Sequence, residues 1–270
     1  MSKETRAYNT KIIETSTYIE VYQYDEPIFY SQSVENENGS RQLDWLIDDN
    51  TRRTYDELPT NEKYDSLKRK QQHYEDMRWE IARIVDCNFD EATKFVTLTF
   101  RDNVQDIEFS NNEFKKFIQR LNRRLKKRNH KAKYLATWEK QKRCAIHYHV
   151  VFFSLGYIKN SELTKIWRNG HVKINKVDVD SKENRGRYLS KYFAKDLELK
   201  EHKKKAFFKS QNLKTPRIRK TTTSQLFDFS NEKIVYSKEY NRKMLDFKEF
   251  DGQHSVFKTG TVRYTKILKE

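Results

Sequence analysis

Apolar and polar residues recur along the chain with two periods, one helical and one alternating, and together they lay out its elements. Between 61 and 86, Tyr64, Leu67, Gln71, Tyr74, Met77, Ile81, Ile84 and Val85 fall near one stripe behind Pro59, which predicts a long amphipathic helix with that stripe in the core. Ahead of it, YIEVYQY has the make-up of a short strand, whereas 31 to 60, rich in Asp, Glu, Asn and Ser, reads as loosely ordered. KFVTLTF (94 to 100) is β-branched and aromatic, as a central strand should be. Ser110 followed by Glu113 forms a capping box ahead of Phe114, Phe117, Ile118, Leu121 and Leu125, so a second helix is expected to open there. KYLATWE (133 to 139) and AIHYHVVFF (145 to 153) are close enough to pair as an antiparallel hairpin. A short helix from Ser161 to Trp167, a strand over 171 to 179, a helix over 184 to 199 and a basic C-terminal segment complete the series. Adjacent strands with segregated helices indicate an α+β fold: a central antiparallel sheet with flanking helices, preceded by a helical and acidic N-terminal segment.

Bulk properties narrow the partners. The 270 residues can bury one sizeable core with a smaller appendage. No run of about twenty apolar residues exists, and MSKETRAYNT lacks the apolar stretch of a signal peptide, so a cytoplasmic protein with no membrane partner is expected. Cys87 and Cys144 form no C-x-x-C pair, which argues against a disulfide or a cysteine-based zinc framework. Six glycines and no G-x-x-x-x-G-K-[ST] stretch argue against a P-loop ATPase.

The formal charge is +16, unevenly spread. Residues 1 to 60 hold twelve Asp and Glu against six Lys and Arg, whereas 111 to 143 hold thirteen Lys and Arg against Glu113 and Glu139. With 17 Phe, 16 Tyr and 4 Trp to stack on bases, a nucleic-acid partner fits better than an anionic membrane. The polar face of the second helix carries Lys115, Lys116, Arg120, Arg123, Arg124 and Lys127, with Arg143 beyond it. They form either a solvated surface or a set of phosphate contacts.

In a strand, His147 and His149 project to one side while Tyr148, Val150 and Phe152 take the other. Two imidazoles a strand pitch apart ligate a metal, line a polar cleft or sit half-buried without relation to each other. Glu139 ends the paired strand, and a short hairpin would bring its carboxylate to the histidines, completing a set that leaves metal positions open for substrate oxygens. The cysteine at 144 also spells C-x-x-H-x-H, a weaker alternative with zinc. Farther on, YLSKYFAK places Tyr188 and Tyr192 four apart on one helical face, each followed three residues later by a lysine, Lys191 and Lys195. The two phenols are either amphipathic core residues or nucleophiles whose charge a metal or ammonium would stabilise.

Taken in order, FVTLTF, HYH and YLSKYFAK resemble the motifs of HUH-type rolling-circle replication initiators, the phage and plasmid replication-associated proteins akin to the filamentous phage gene II protein, over about residues 85 to 220. The departures are Cys144, where relatives would carry glycine, and the polar Tyr148. The resemblance implies an HUH endonuclease with an RRM-like palm at 86 to 220, an accessory segment at 1 to 85 and an extension at 221 to 270. It further implies Mg²⁺ or Mn²⁺ on Glu139, His147 and His149, attack by Tyr188 or Tyr192 aided by Lys191 and Lys195, and Thr97 and Thr99 as supports. Single-stranded or hairpin origin DNA would be nicked through a 5′-phosphotyrosine in a bacterial host, with a host helicase, polymerase and single-strand binding protein as collaborators. A relaxase or transposase of the same chemistry and a non-catalytic nucleic-acid-binding module are the alternatives.

Overall fold

The computed structural model describes residues 5–31, 59–141, 143–177, 185–194, 207–224, 227, 229–245 and 257–269. Its described elements run β1 (Thr5–Glu14), β2 (Tyr18–Ser31), α1 (Thr60–Asn88), β3 (Lys94–Phe100), α2 (Ile107–Lys126), β4 (Lys133–Lys140), β5 (Ile146–Phe153), α3 (Asn160–Trp167), β6 (Gly170–Lys176), α4 (Arg185–Ala194), β7 (Phe208–Lys209), β8 (Arg217–Thr221), β9 (Ile234–Leu245) and β10 (Phe257–Leu268). The fold is α+β, with two antiparallel five-stranded sheets. Most of the segment expected to be loosely ordered, residues 32–58, lies outside the described residues. Among the described residues no helix is long and apolar enough to cross a membrane.

Contacts divide the chain into two compact units, Gln71–Thr215 and the pair Met1–Lys70 with Pro216–Glu270. The first contains the sheet β6-β3-β5-β4-β7. Strand alternation gives this sheet two different faces. Val96, Leu98, Tyr148, Val150 and Phe152 point one way and pack against Phe114, Phe117 and Leu121 of α2 and Leu163 and Trp167 of α3. Tyr148 sits on this side at full burial, with its ring stacked on Phe114 at 4.7 Å. Its hydroxyl donates to Asn111 Oδ1 (2.7 Å) and lies 3.2 Å from Ser110 Oγ, which satisfies the polar end inside the core.

The other face carries Phe95, Leu135, Val151 and Phe153, covered by Ile81, Ile84 and Val85 of α1 and by Leu189 and Phe193 of α4. Of the core stripe expected along α1, Ile81, Ile84 and Val85 are buried, whereas Leu67 is 52% exposed. The second helix also differs from expectation, opening at Ile107 instead of after Ser110. Asp106 is its N-cap, accepting from the Glu108 and Phe109 amides at 2.8 and 3.2 Å, and the added turn buries Ile107. Ser110 lies inside the helix, where its hydroxyl donates to the Ile107 carbonyl at 3.0 Å.

The α3–β6 connection is tight. Arg168 ends α3 at φ 71° and Gly170 adopts φ 152°, where a Cβ would lie 2.5 Å from the Arg101 amide nitrogen and closer still to the Thr99 carbonyl oxygen. Only glycine allows β6 to approach β3 this closely.

The second unit contains the sheet β8-β1-β2-β10-β9. β1 and β2 form a hairpin, at whose turn Thr15 Oγ1 accepts from the amides of Tyr18 (2.9 Å) and Thr17 (3.2 Å). β10 pairs with β2 from Tyr18↔Leu268 to Tyr24↔Val262, joining segments from both ends of the sequence.

Candidate metal centre

The β4–β5 hairpin aligns Glu139 with His147 and Thr137 with His149. On the other side of β5, β3 aligns Thr99 with His147 and Thr97 with His149. All six residues therefore share the face that also carries Phe95, Leu135 and Val151, and the polar group lies beyond the apolar patch covered by α1 and α4. The hairpin closes through the Gln141 amide on the Ala145 carbonyl and the Cys144 amide on the Gln141 carbonyl, both 2.8 Å. Cys144 adopts φ 65°, the left-handed region that favours glycine, so the residue type the resemblance leads one to expect at this position suits its backbone. The cysteine is exposed, and the metal-capable group consists of Glu139, His147 and His149 without it, which removes the C-x-x-H-x-H alternative.

The three donors are close enough to share an ion. His147 Nε2 lies 2.5 Å and His149 Nε2 3.1 Å from Glu139 Oε1, and one donor atom from each residue falls within 4.8 Å of the others. Ligand atoms about 2.0–2.2 Å from one divalent ion lie about 3–4 Å apart, so small adjustments would complete the set. Two imidazoles and a carboxylate are a donor set that suits several divalent metals. The side chains are largely sheltered, at 11% exposure for His147, 12% for His149 and 17% for Glu139. Hydrogen bonds from His147 and then His149 hold the Glu139 carboxyl well below the usual carboxylate range, so it is ionised at neutral pH.

Neighbouring groups fix the rings. His149 stacks on Phe95 with centroids 5.4 Å apart, and its Nδ1 lies 3.2 Å from Thr97 Oγ1. With an ion in place of the Nε2–H···Glu139 bond, that hydroxyl would accept the Nδ1 proton and leave the Nε2 lone pair for the metal. His147 Nδ1 meets the Gln141 side-chain amide at 3.3 Å, and Gln141 Oε1 in turn accepts from Arg143 Nε at 3.2 Å. Arg143 also donates to the Phe100 carbonyl at 3.1 Å, tying the hairpin turn to β3. Phe95 and Gln141 were missed by motif reading. Each stands two strand positions from a recognised residue, Phe95 from Thr97 and Gln141 from Glu139, so the same alternation would have found them.

The other predicted residues are distributed as follows. Tyr188 is 42% exposed on α4, next to buried Leu189. Lys191 and Tyr192 lie on α4, but their side chains are outside the described set, and Lys195 lies outside the described residues. The basic helix α2 covers the opposite face from the three donors. Lys115, Arg123 and Lys127 are exposed there, and Lys116 is exposed but paired with Glu113 at 2.7 Å. Arg120 and Arg124 link α2 to α3: Arg120 donates to the Ile166 and Trp167 carbonyls at 2.7 and 3.1 Å, and Arg124 pairs with Glu162. Arg143 alone of the seven belongs to the surroundings of the metal-capable group.

Among curated proteins and among solved structures no match is found. Residues 93–197 match the family model of the replication-associated protein ORF2/gene II protein, a span that contains β3, the three metal-capable residues and α4. The match supports a replication-initiator family, and with it an interaction with nucleic acid.

Proposed function

We propose that this protein is a rolling-circle replication initiator whose catalytic region, residues 86 to 220, nicks and rejoins single-stranded origin DNA. The observation that carries the reading is that Glu139, His147 and His149 gather on the sheet face that α4, the helix of Tyr188, also covers. These three residues would hold Mg²⁺ or Mn²⁺, which supplies Lewis-acid polarisation of a phosphate. Tyr188 Oη gives up its proton and bonds to phosphorus, the bond from phosphorus to the 3′ oxygen breaks, and that oxygen takes up a proton. A 5′-phosphotyrosine and a free 3′-OH result, and the reverse attack by a 3′-OH rejoins the strand. Tyr192, one helical turn on, serves a second cleavage, while Lys191 and Lys195 neutralise the phosphate or phenolate. The 3′-OH suits a host polymerase, with unwinding and strand protection left to a host helicase and single-strand binding protein.

The test is a denaturing gel after incubation with a pool of random-sequence single strands and Mn²⁺. A slower protein band that disappears with EDTA, in Tyr188→Phe or in Glu139→Ala is the expected result. Reversible binding without a covalent band, or a band indifferent to EDTA, overturns the proposal in favour of a binding module or a metal-independent reaction.

A further inference from the structure

The sheet β8-β1-β2-β10-β9 carries a pattern that nicking does not use. Its registers align Lys220 with Lys11, Lys11 with Tyr22, Tyr22 with Tyr264, and Tyr264 with Lys238. Directly paired residues share a face, so a row reading Lys-Lys-Tyr-Tyr-Lys crosses all five strands on one side. With strands about 4.8 Å apart, the row is about 19 Å long. The Tyr22 and Tyr264 rings are 4.8 Å apart, and Tyr236 extends the aromatic run with its ring 6.0 Å from Tyr264. Lys11 Nζ sits 5.7 Å from the Tyr22 centroid. Tyr236 is 51% exposed, and Lys220 and Lys238 at the two ends are exposed. The corresponding row on the other face, Thr221, Thr10, Gln23, Arg263 and Glu239, is polar and of mixed charge.

Planar rings in the middle with ammonium groups at both ends match a single-stranded nucleic acid, whose bases stack on aromatic faces while its phosphates meet cations. An acidic peptide would match the charges but leave the ring row unexplained. We propose that this face is a second nucleic-acid-binding surface, with bases on Tyr22, Tyr264 and Tyr236 and phosphates on Lys11, Lys220 and Lys238. It is independent of the nicking reading, since it needs no metal, phenolate or covalent step.

The experiment is a titration of the full chain in EDTA with a short fluorescent oligo-dT, read by anisotropy for affinity and by saturation for stoichiometry. Tyr236→Ser with Lys238→Ser changes two groups on the exposed edge of the sheet, and an unchanged circular dichroism spectrum certifies the fold. The double variant is expected to lose one bound oligonucleotide per chain, or to bind it at least about fivefold more weakly, the lower end for one stacked base. Lys238→Ser by itself should lower the salt slope by about 0.7. Tyr236→Phe, which keeps the ring, should bind as the unaltered chain does. Unchanged affinity and stoichiometry in the folded double variant overturn the proposal. So does a variant that loses poly-glutamate binding while keeping oligo-dT, which would assign the face to an acidic protein instead.

Discussion

Replacing Leu189 by alanine tests whether the phenol of Tyr188 depends on a docked helix. α4 spans ten residues in Arg185–Ala194, and isolated helices shorter than about 12–15 residues are marginal in water. Packing must hold it. Leu189 and Phe193, each 1% exposed, insert among Ile81, Ile84, Val85, Phe95, Leu135, Val151 and Phe153. The Gly186 amide donates to Asp86 Oδ1 at 3.1 Å, and a Cβ on Gly186 would come within 2.5 Å of that oxygen. Truncating a buried leucine to alanine costs about 2–5 kcal/mol, the lost transfer energy plus the cavity. A mid-range loss of about 3 kcal/mol raises the undocked population of α4 about 150-fold, at about 1.4 kcal/mol per factor of ten. Hydrogen exchange reads this directly: the α4 amides should exchange about two orders of magnitude faster while those of β5 keep their protection. The covalent DNA adduct should then form more slowly on warming, at unchanged Mn²⁺ affinity. Two results refute the reasoning. Unaltered exchange in α4 would show that Leu189 does not anchor it, and fast exchange with wild-type adduct formation would show that the proposed attack by Tyr188 does not need the docked helix.

Two further outcomes follow from the same geometry. Thr97→Val removes the partner of the His149 Nδ1 without touching a donor, so Mn²⁺ affinity by calorimetry should fall about 10–100-fold; an unchanged affinity would mean that the ring is held by packing with no help from this bond. Burial pushes the Tyr24 phenol up to about 12 from its ordinary value of 10.0, so the folded state favours the neutral form. The stability it contributes is intact below about pH 10 and is lost as the pH climbs through about 12, because the unfolded chain ionises first. Alkaline unfolding followed by circular dichroism and tyrosinate absorbance should therefore move to higher pH in Tyr24→Phe, and an unmoved midpoint would exclude this phenol as the cause.

What could be read from the sequence was what local periodicity controls. A strand has period two, and a one-residue slip would send His147 and His149 to the other face. The hairpin register that pairs Glu139 with His147 was therefore legible from alternation and a short turn. The opening of α2 was not, because two capping sequences lie four residues apart and the choice of Asp106 over Ser110 is made by burying Ile107. Tyr148 read as a polar departure from the family pattern, since its partners, Asn111 and Ser110, reach it only through the packing of α2 on the sheet. The second sheet was largely illegible. β9 alternates Tyr236, Lys238, Tyr240 and Arg242 along one face, a strand pattern hidden by its charge, and its partner β10 also pairs with a strand from the other end of the sequence.

That pairing across the chain dictates an order of events during synthesis. Strands β3 to β7 and the helices between them lie in one uninterrupted stretch, able to collapse as soon as it clears the ribosome. The β1–β2 hairpin, made earlier, meets neither neighbour until β8 and β10 have been translated. For that interval both its rims carry unpaired amides and carbonyls, the template on which foreign strands and sister chains aggregate. A nascent chain stalled short of β10 is thus the form most in need of a chaperone, and shortening the coding sequence at its 3′ side should cost solubility before it costs metal binding.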